Sequence, residues 1–330
     1  MSSLGWGIMA AGGIAGRFAA DLALDGHRLA AIGSRDGAKA RAFAERFGVS
    51  KAHGSYEAVA TDPSVDIVYV ATPHNLHLEC ALMAINAGKA VLVEKPLTMN
   101  AAQARIMEEA ARAAGVACME AMWTRFLPHM AHLREILDQG LIGRVTGLIV
   151  DHNQDLPRDP HHRINDPELG GGALLDLGIY PISFAYELFG QPNAIESPFG
   201  VLGPTGVDRQ VSGVFTYGGP TPVTYWLTAS DLRGPNRASV VGAEGRVDMD
   251  PVWYTPTQMR TYGADGVLLD TFNGATAGRG MQFEAREMER LVKERRLTSQ
   301  IMPLSQSVEI METLDQIRAA VGVVYPADAE

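Results

Sequence analysis

Residues 90–96, Ala-Val-Leu-Val-Glu-Lys-Pro, join an apolar run to a charged turn. The run 90–93 is rich in β-branched residues and does not alternate, which predicts a buried parallel strand. A lysine just beyond the carboxyl end of such a strand lies where open α/β sheets bind ligands. Pro96 restricts Lys95 to extended backbone and permits a cis bond, so the direction of the lysine can be fixed. A solvated Lys-Pro turn is equally compatible with this stretch alone.

Composition limits the classes of protein to which the chain can belong. A length of 330 residues predicts about two domains, and 46% hydrophobic residues supply a core for each. The net charge of -10 argues against a nucleic-acid surface as the main function. Two cysteines, Cys80 and Cys118, make no disulfide framework and suit a reducing cytoplasm. No apolar run is long enough to span a membrane, so we expect a cytoplasmic protein without a membrane partner.

A glycine-containing turn follows the first predicted strand. Residues 4–10 predict that strand, and residues 14–24 have the periodicity of a helix. Between them, Gly12 and Ala15 fit the second and third places of the dinucleotide fingerprint G-x-G-x-x-G/A, whereas Ala10 occupies the first. Gly12 would let the backbone approach a pyrophosphate, and the helix N-terminus would supply N–H groups and partial positive charge. An ordinary glycine-rich turn is the alternative.

The residues after the second predicted strand, 29–33, indicate which dinucleotide binds. In NAD sites an acid about 20 residues beyond the glycines holds the ribose 2′-OH, whereas a nearby arginine accommodates a 2′-phosphate. Ser34 and Arg35 end this strand, which favours NADP(H) and leaves NAD(H) possible. Asp36 is either a ribose ligand or the cap of a helix over residues 38–47.

Polar residues also follow the third predicted strand, 66–71. We expect the turn 72–75 to line the nicotinamide side of a cleft. His74 and His77 have a spacing that metal ligands can show. No cysteine or acidic partner follows at ligand spacing, however, so the sequence predicts no metal site.

Strand–helix alternation continues to about residue 120. One predicted helix covers 78–87, and Asn100 is expected to cap a second helix that extends to residue 114. Predicted strands cover 90–93 and 116–120. Alternation this regular is typical of a parallel sheet with right-handed crossovers. The sequence therefore predicts an α/β Rossmann domain that binds NAD(P) over residues 1–122.

The pattern changes beyond Trp123, where a helix extends to about residue 139. Short β-rich segments without intervening helices then predict a large, mostly antiparallel sheet in an α+β domain over 123–330, for substrate binding and dimerisation. The outward face of this open-faced sheet has no helices to cover it, so we expect a homodimer or higher homo-oligomer. The segments are 145–152, 210–217, 222–229 and 237–241.

A long polar connection and a glycine-rich turn stand inside the second predicted domain. Residues 155–172 include Arg163 and are more typical of a substrate-side loop than of a linker. Asp176 and Tyr180 follow four residues apart, so they share one face of the predicted helix. A carboxylate and a phenol in an otherwise apolar helix are costly unless they reach a cleft or a partner. The alternative is a first-turn aspartate and a core tyrosine with one hydrogen bond.

Taken together, these motifs make the chain similar to the glucose-fructose oxidoreductase/inositol dehydrogenase family, Gfo/Idh/MocA. The combination of E-K-P with G-G-G-x-L-x-D-x-G-x-Y is specific, and the similarity covers essentially the whole chain. It implies a Rossmann domain, a second domain whose open sheet commonly makes dimers, and nicotinamide-dependent oxidation or reduction of sugars, cyclitols or related diols. The residues that carry it are Gly12-Gly13-Ile14-Ala15, Ala71-Thr72-Pro73 with Asn75 and His77, Glu94-Lys95-Pro96, and 170–180.

Two positions depart from the usual family pattern. Ala10 replaces the first glycine, and Tyr180 stands where many members carry histidine. Tyrosine there resembles the branch of dimeric dihydrodiol dehydrogenases and aldose 1-dehydrogenases, as does the segment 120–126. The resemblance implies Lys95, Asp176 and Tyr180 as catalytic residues, with Trp123 and Arg163 joining them in substrate contact. It implies cofactor contacts from Gly12, Gly13, Ile14, Ala15, Ser34, Arg35, Thr72, Pro73, Asn75, His77, Glu94, Lys95, Trp123 and Arg125.

Oxidation of a hydroxyl by hydride transfer needs a group that takes the hydroxyl proton. We predict that Tyr180 exchanges this proton, while Lys95 lowers the pKa of the phenol and hydrogen-bonds the reacting oxygen. The reverse assignment stays open, because coupled groups titrate as a pair. Asp176 would accept a hydrogen bond from a neighbouring hydroxyl of a sugar, polyol or diol.

Two other functions are compatible with the sequence. One is a regulatory protein that senses a nucleotide without turnover, since a fold does not determine a function. The other is reduction of a non-sugar carbonyl or imine. A pure sensor has no chemical need of the set Lys95, Asp176 and Tyr180, which favours an enzyme.

Overall fold

The computed structural model describes residues 3–218 and 222–329. The chain forms two compact units, Met1–Trp123 with Ala277–Met311 and Thr124–Thr276 with Glu312–Glu330. The predicted domain 123–330 differs from this division, because residues 277–311 group with the first unit. In the described residues, no helix has both the length and the apolar character needed to cross a membrane.

The described part of the first unit contains a six-stranded sheet in which every neighbouring pair is parallel, as predicted. The sequence did not reveal one of its two edge strands, because Lys51–His53 is short and carries no apolar run. The strands are β1 (Gly5–Met9), β2 (Arg28–Gly33), β3 (Lys51–His53), β4 (Ile67–Val70), β5 (Ala90–Glu94) and β6 (Cys118–Ala121), in the order β3-β2-β1-β4-β5-β6.

Helices connect these strands, and side-chain caps fix where three of them begin. Asp36 Oδ1 accepts hydrogen bonds from Ala38 N at 2.9 Å and Lys39 N at 3.3 Å. Of the two roles that the sequence left open for Asp36, the structure shows the helix cap. Asn100 caps a later helix in the predicted way, accepting from Gln103 N at 3.0 Å. The helices are α1 (Gly13–Leu24), α2 (Gly37–Phe47), α3 (Tyr56–Ala60), α4 (His77–Asn86) and α5 (Ala101–Ala114).

The described part of the second unit contains an eight-stranded sheet and helices α6 (Pro128–Asp138) and α7 (Ile179–Phe189). The predicted mostly antiparallel architecture is confirmed. The strands are β7 (Val145–Asn153), β8 (Ala194–Leu202), β9 (Asp208–Thr216), β10 (Val223–Ala229), β11 (Ala238–Gly242), β12 (Gly245–Met249), β13 (Gln258–Gly263) and β14 (Leu268–Asn273), in the order β14-β13-β12-β11-β7-β10-β9-β8.

One neighbouring pair in this sheet, β7 and β10, is parallel. Parallel neighbours cannot be joined by a tight hairpin, and the chain between them contains α7, β8 and β9. Helix α7 packs on β7 and β10, so it covers one face of the sheet. On the opposite face Ile149 and Tyr225 are paired in register and remain 56% and 54% exposed.

The chain returns to the first unit after β14, through α8 (Gln282–Glu294) and the start of α9 (Leu304–Val321). Helix α8 packs against α1 and β5 and buries Ala285, Met288 and Leu291. Their spacing places them on one helix face, so α8 completes the core of the Rossmann unit. This packing is the physical reason why residues 277–311 group with the first unit rather than with the predicted second domain.

The turn between β1 and α1 contains a strained alanine. Ala10 has a φ of 82°, in the left-handed region that favours glycine. Its N–H bonds the carbonyl of Gly33 at 2.9 Å, which ties the turn to β2. The chain therefore keeps the turn that glycine makes in the dinucleotide fingerprint, at a cost in backbone strain.

Ala10→Gly is expected to raise the free energy of unfolding by about 0.5–1 kcal/mol, because glycine relieves the left-handed strain. Urea unfolding of the variant measures this change. The matched control is Ala11→Gly, whose backbone has no left-handed strain to relieve and which should therefore not stabilise the protein. Equal shifts in the two variants would contradict the proposed strain at residue 10.

Candidate active site

The turn after β1 is open to a ligand. Helix α1 begins at Gly13 with Gly12 as its N-cap, and both glycines are exposed. A Cβ atom built on either glycine meets nothing within 4 Å. No acidic residue stands in the first turn of α1, Ile14 is partly buried and Ala15 is fully buried. Uncovered N–H groups at the start of a helix suit a pyrophosphate, so these residues fit a dinucleotide.

The end of β2 carries an exposed cation. Arg35 is exposed beside the buried Ser34, and its side chain lies near Tyr56. Burial raises the pKa of the Tyr56 phenol, so this hydroxyl is neutral at physiological pH. The Asp36 carboxylate is used to cap α2, where it accepts hydrogen bonds from backbone N–H groups. The exposed guanidinium of Arg35 therefore remains as the group at this strand end that suits an anionic ligand.

One buried imidazole joins two turns at the carboxyl edge of the parallel sheet. His77 is fully buried, with Nδ1 2.9 Å from the carbonyl oxygen of Pro96 and Nε2 3.0 Å from that of Thr72. Burial lowers the pKa of His77 to about 4, so the ring is neutral and donates to one carbonyl at a time. The ring therefore lies between the turns that follow β4 and β5 and bonds one of them at a time.

The other residues of the turn after β4 differ in exposure. Thr72 is buried, whereas Pro73 and Asn75 are exposed. His74 meets His77 edge-on, with ring centroids 5.5 Å apart. In the part of the chain that the structure describes, no group of three His, Cys, Asp or Glu side chains is arranged to hold a metal ion. The cofactor contacts expected of Thr72, Pro73, Asn75 and His77 remain predictions.

The backbone around Lys95 is held on both sides. The Glu94 carboxylate accepts hydrogen bonds from the hydroxyl of Tyr69 and, at 3.2 Å, from the N–H of Lys95. On the far side of the cis Lys95–Pro96 bond, Leu97 N donates to Glu120 Oε1 at 2.9 Å. Lys95 itself is half-buried at the end of β5. Its position agrees with the ligand-binding edge that the sequence predicted.

Asp176 and Tyr180 lie at the start of the helix that packs on the second sheet. Residues Leu174–Gly178 form a turn of π-helix, which the sequence did not reveal, and α7 continues from Ile179. Asp176 is 4% exposed and Tyr180 is 7% exposed. Arg163 donates to both carboxylate oxygens of Asp176, at 3.3 and 3.1 Å. The structure therefore brings Arg163, Asp176 and Tyr180 into one region of the second unit.

Aromatic side chains that the sequence analysis missed surround Tyr180. The ring of His152 meets Tyr180 edge-on with centroids 4.8 Å apart and stacks on Tyr254 at 3.7 Å. Tyr254 also lies 5.4 Å from Tyr180, and Gln154 contacts Nε2 of His152 at 3.0 Å. His152 occupies a buried position in the alternating strand β7, where an apolar residue is usual. That break in the pattern was the available signal.

Trp123 and Arg125, both expected to contact the cofactor, are buried. Trp123 is 3% exposed, with the guanidinium of Arg279 5.2 Å from its ring centroid. Arg125 is 2% exposed and donates through Nε to Ser183 Oγ at 2.8 Å. This bond shows that Arg125 supports α7, while its contact with a cofactor remains a prediction.

Sequence models of known families match most of the chain. A model described as the oxidoreductase family, NAD-binding Rossmann fold, matches residues 4–122. A model described as the GFO/IDH/MocA C-terminal domain matches residues 130–248. The match to the first model agrees with the parallel sheet and the open glycine turn.

Relatives of known activity are similar over their full length. The chain is 38% identical to trans-1,2-dihydrobenzene-1,2-diol dehydrogenase of Mus musculus over 336 residues, which covers 99% of both chains. It is 35% identical to the Homo sapiens enzyme of that name over 340 residues, again covering 99% of each.

Solved structures share the fold of the whole chain. An aldose-aldose oxidoreductase from Caulobacter crescentus, complexed with glycerol, has a TM-score of 0.87 at 25% identity, covering 97% of this chain and 98% of that one. KijD10, a 3-ketoreductase from Actinomadura kijaniata in complex with NADP and TDP-benzene, has a TM-score of 0.84 at 26% identity, with the same coverage. The chain therefore belongs to the Gfo/Idh/MocA family of NAD(P)-dependent oxidoreductases.

Proposed function

We propose that this enzyme is an NADP(H)-preferring dehydrogenase that acts on one hydroxyl of a small vicinal diol carried on a ring. The observation that carries the proposal is the buried Asp176–Tyr180 pair, with Arg163 paired to the aspartate. A carboxylate and a phenol about one helical turn apart suit two adjacent hydroxyl groups. Sugars and dihydrodiols both present such hydroxyls, which agrees with the activities named for the relatives.

The residues of this chain have separate roles in the proposed reaction. A nicotinamide cofactor, when bound at the glycine turn, would supply the hydride chemistry. In the oxidation direction Tyr180 takes the proton of the reacting hydroxyl, and the ammonium of Lys95 favours the phenolate that receives it. Asp176 accepts a hydrogen bond from the neighbouring hydroxyl, and its ion pair with Arg163 orients the carboxylate.

The aromatic rings beside Tyr180 favour a ring-shaped substrate. His152 and Tyr254 bring flat apolar surfaces to the phenol, while Asp176 and Arg163 supply charge on the same unit. A cyclic diol has one apolar face and one hydroxylated edge, so it matches both kinds of surface. This combination favours a diol or sugar over an imine.

The preference for NADP(H) rests on the end of β2. Asp36 is used as the cap of α2, whereas Arg35 is exposed and cationic. An exposed guanidinium beside a serine suits a 2′-phosphate better than a 2′-hydroxyl.

The catalytic assignment predicts the behaviour of two conservative variants. Lys95→Met removes the ammonium but keeps most of the stem, and Tyr180→Phe removes only a hydroxyl. Each is expected to lower kcat by roughly 10²–10⁴-fold, as losing a general acid–base group does. The double variant should be little worse than either single one, because the two groups act as a unit. Nicotinamide absorbance with a panel of cyclic diols and aldoses measures the rates.

The pH dependence separates a catalytic tyrosine from a structural one. Tyr180→Phe should lose the basic limb of the kcat/KM profile for oxidation. Turnover near the wild-type rate with an unchanged profile would show that the tyrosine is structural. Cofactor binding without turnover of any diol, sugar, carbonyl or imine by the wild type would instead support a nucleotide sensor.

Cofactor choice is tested by Arg35→Ala, which should raise the Kd of NADP(H) much more than that of NAD(H). The reason is that the charge-assisted hydrogen bonds to a phosphate disappear. Arg46→Ala removes the same charge from the exposed side of α2 and serves as the control. Fluorescence titration with both cofactors measures the affinities, and equal losses for the two would refute the 2′-phosphate assignment.

We also propose that the uncovered face of the second sheet binds a second copy of this chain. In register across β8, β9, β10 and β7, this face presents Glu196, Val214, Tyr225 and Ile149 in one row and Phe199, Ser212, Leu227 and Asp151 in the next. Exposed apolar side chains in adjacent rows favour pairing with a similarly flat, self-complementary surface.

Tyr225→Glu is expected to convert a dimer into a monomer at micromolar concentration, because it places a charge in the apolar rows. Ile106→Glu on α5 is the control, since Ile106 is 51% exposed on the other unit. Sedimentation velocity measures the masses. A folded wild-type protein that sediments as a monomer would rule out the interface.

A further inference from the structure

The π-helical turn that leads into α7 is preceded by a glycine turn, Gly171-Gly172, in which there is no room for a side chain. A Cβ built on Gly171 would lie 2.7 Å from the carbonyl oxygen of Ile164 and 2.8 Å from that of Arg163. A Cβ built on Gly172, whose φ is 119°, would lie 2.4 Å from Asp208 Oδ1 and 3.1 Å from the hydroxyl of Tyr325. The turn is therefore clamped between the Arg163 segment on one side and Asp208 with Tyr325 on the other.

Hydrogen bonds hold the turn from both sides. Gly171 N donates to the carbonyl of Asp166, and Gly172 N to that of Ile164, each at 2.8 Å. The hydroxyl of Tyr325 donates to the carbonyl of Gly171. These bonds join the turn to the residues that flank Arg163, and Arg163 in turn pairs with Asp176.

Asp208 holds the next residues of the helix. It is fully buried at the start of β9, and its Oδ2 accepts a hydrogen bond from Leu174 N at 2.6 Å. Asp176 N in turn donates to the carbonyl of Gly172 at 3.3 Å. The clamped turn is thus continuous with the π-helical turn that carries Asp176 and leads to Tyr180.

Tyr325 is itself held rigidly. It is 1% exposed, and its N–H donates to Asp328 Oδ2 at 2.8 Å. Arg318 bonds the same carboxylate at 2.7 Å and lies 4.7 Å from the centroid of the Tyr325 ring. Because the ring and backbone of Tyr325 are both held in place, its hydroxyl can define the position of the Gly171 carbonyl that it bonds.

We propose that Tyr325 is a positioning residue for catalysis, whose bond to Gly171 sets where Asp176 and Tyr180 stand relative to the substrate. This inference rests on the proposed function of that pair. The physical reason is that a displacement of about 1 Å in a reacting group can cost 10²-fold in rate. Tyr325 and Asp208 support the turn on the side opposite to the carbonyls of Ile164 and Asp166.

The test compares two buried tyrosine hydroxyls that contact the same helix region. Tyr325→Phe removes the bond to Gly171, whereas Tyr186→Phe, the control, removes a bond to Thr313 Oγ1 of 2.7 Å from the body of α7. Both variants should unfold at similar urea concentrations. Tyr325→Phe is expected to lower kcat by about 10- to 10²-fold with little change in the KM for cofactor. It should also shift the basic limb of the pH profile, and Tyr186→Phe should do neither.

Amide hydrogen exchange provides a readout that needs no turnover. Exchange in the segment 170–180 should accelerate in Tyr325→Phe and not in Tyr186→Phe, because only the first variant releases the glycine turn. If Tyr325→Phe does not fold, Asp328→Ala replaces it. It removes an exposed acceptor of Tyr325 N and should produce a smaller change in the same direction.

The two proposals fail in different ways. Wild-type kcat and an unchanged pH profile in Tyr325→Phe, when Tyr180→Phe is impaired, would overturn the positioning role and leave the proposed function intact. Equal losses in Tyr325→Phe and Tyr186→Phe would also overturn it. Full activity of Tyr180→Phe would overturn the proposed function. Independently of that result, unchanged amide exchange of residues 170–180 in Tyr325→Phe would overturn the role of Tyr325 in positioning the turn.

Discussion

Parallel strands bring all of their carboxyl ends to one edge of a sheet, and the cofactor-binding half of this protein depends on that constraint. The glycine turn after β1, Arg35 after β2 and Lys95 after β5 are far apart in sequence but end on the same edge. The buried ring of His77 lies between the turn after β5 and the turn after β4, beside the carbonyls of Pro96 and Thr72. A neutral imidazole can do this in an apolar interior, where a charged side chain would be costly.

In the second unit, the side chains to which we assign catalysis lie on a helix rather than at strand ends. Close approach of backbone to backbone at Gly171 and Gly172 leaves room for no other residue type. Asp208 is kept fully buried to hold Leu174 N, although burial raises the pKa of its carboxyl to about 6. A buried carboxylate is an expensive support, and its use here is consistent with a helix start whose position matters for function.

Local patterns predicted those features that depend on neighbouring residues. The apolar run 90–93 became β5, Asp36 and Asn100 became helix caps, and the glycine turn kept its conformation at Ala10. Features that depend on distant partners were missed. Lys51–His53 becomes a strand only because β2 lies beside it, and helix α8 joins the Rossmann unit only because its apolar face meets α1 and β5.

The sequence by itself determined the class of each sheet, the order of elements near the cofactor and the residue types available for chemistry, because periodicity, caps and glycines act over a few residues. Only the tertiary structure decided that Arg163 pairs with Asp176, that His152 and Tyr254 surround Tyr180, and that Tyr325 bonds the glycine turn. Each of these contacts joins side chains or backbone from separate elements. Their geometry follows from how helices and sheets pack, which no local pattern of residues encodes.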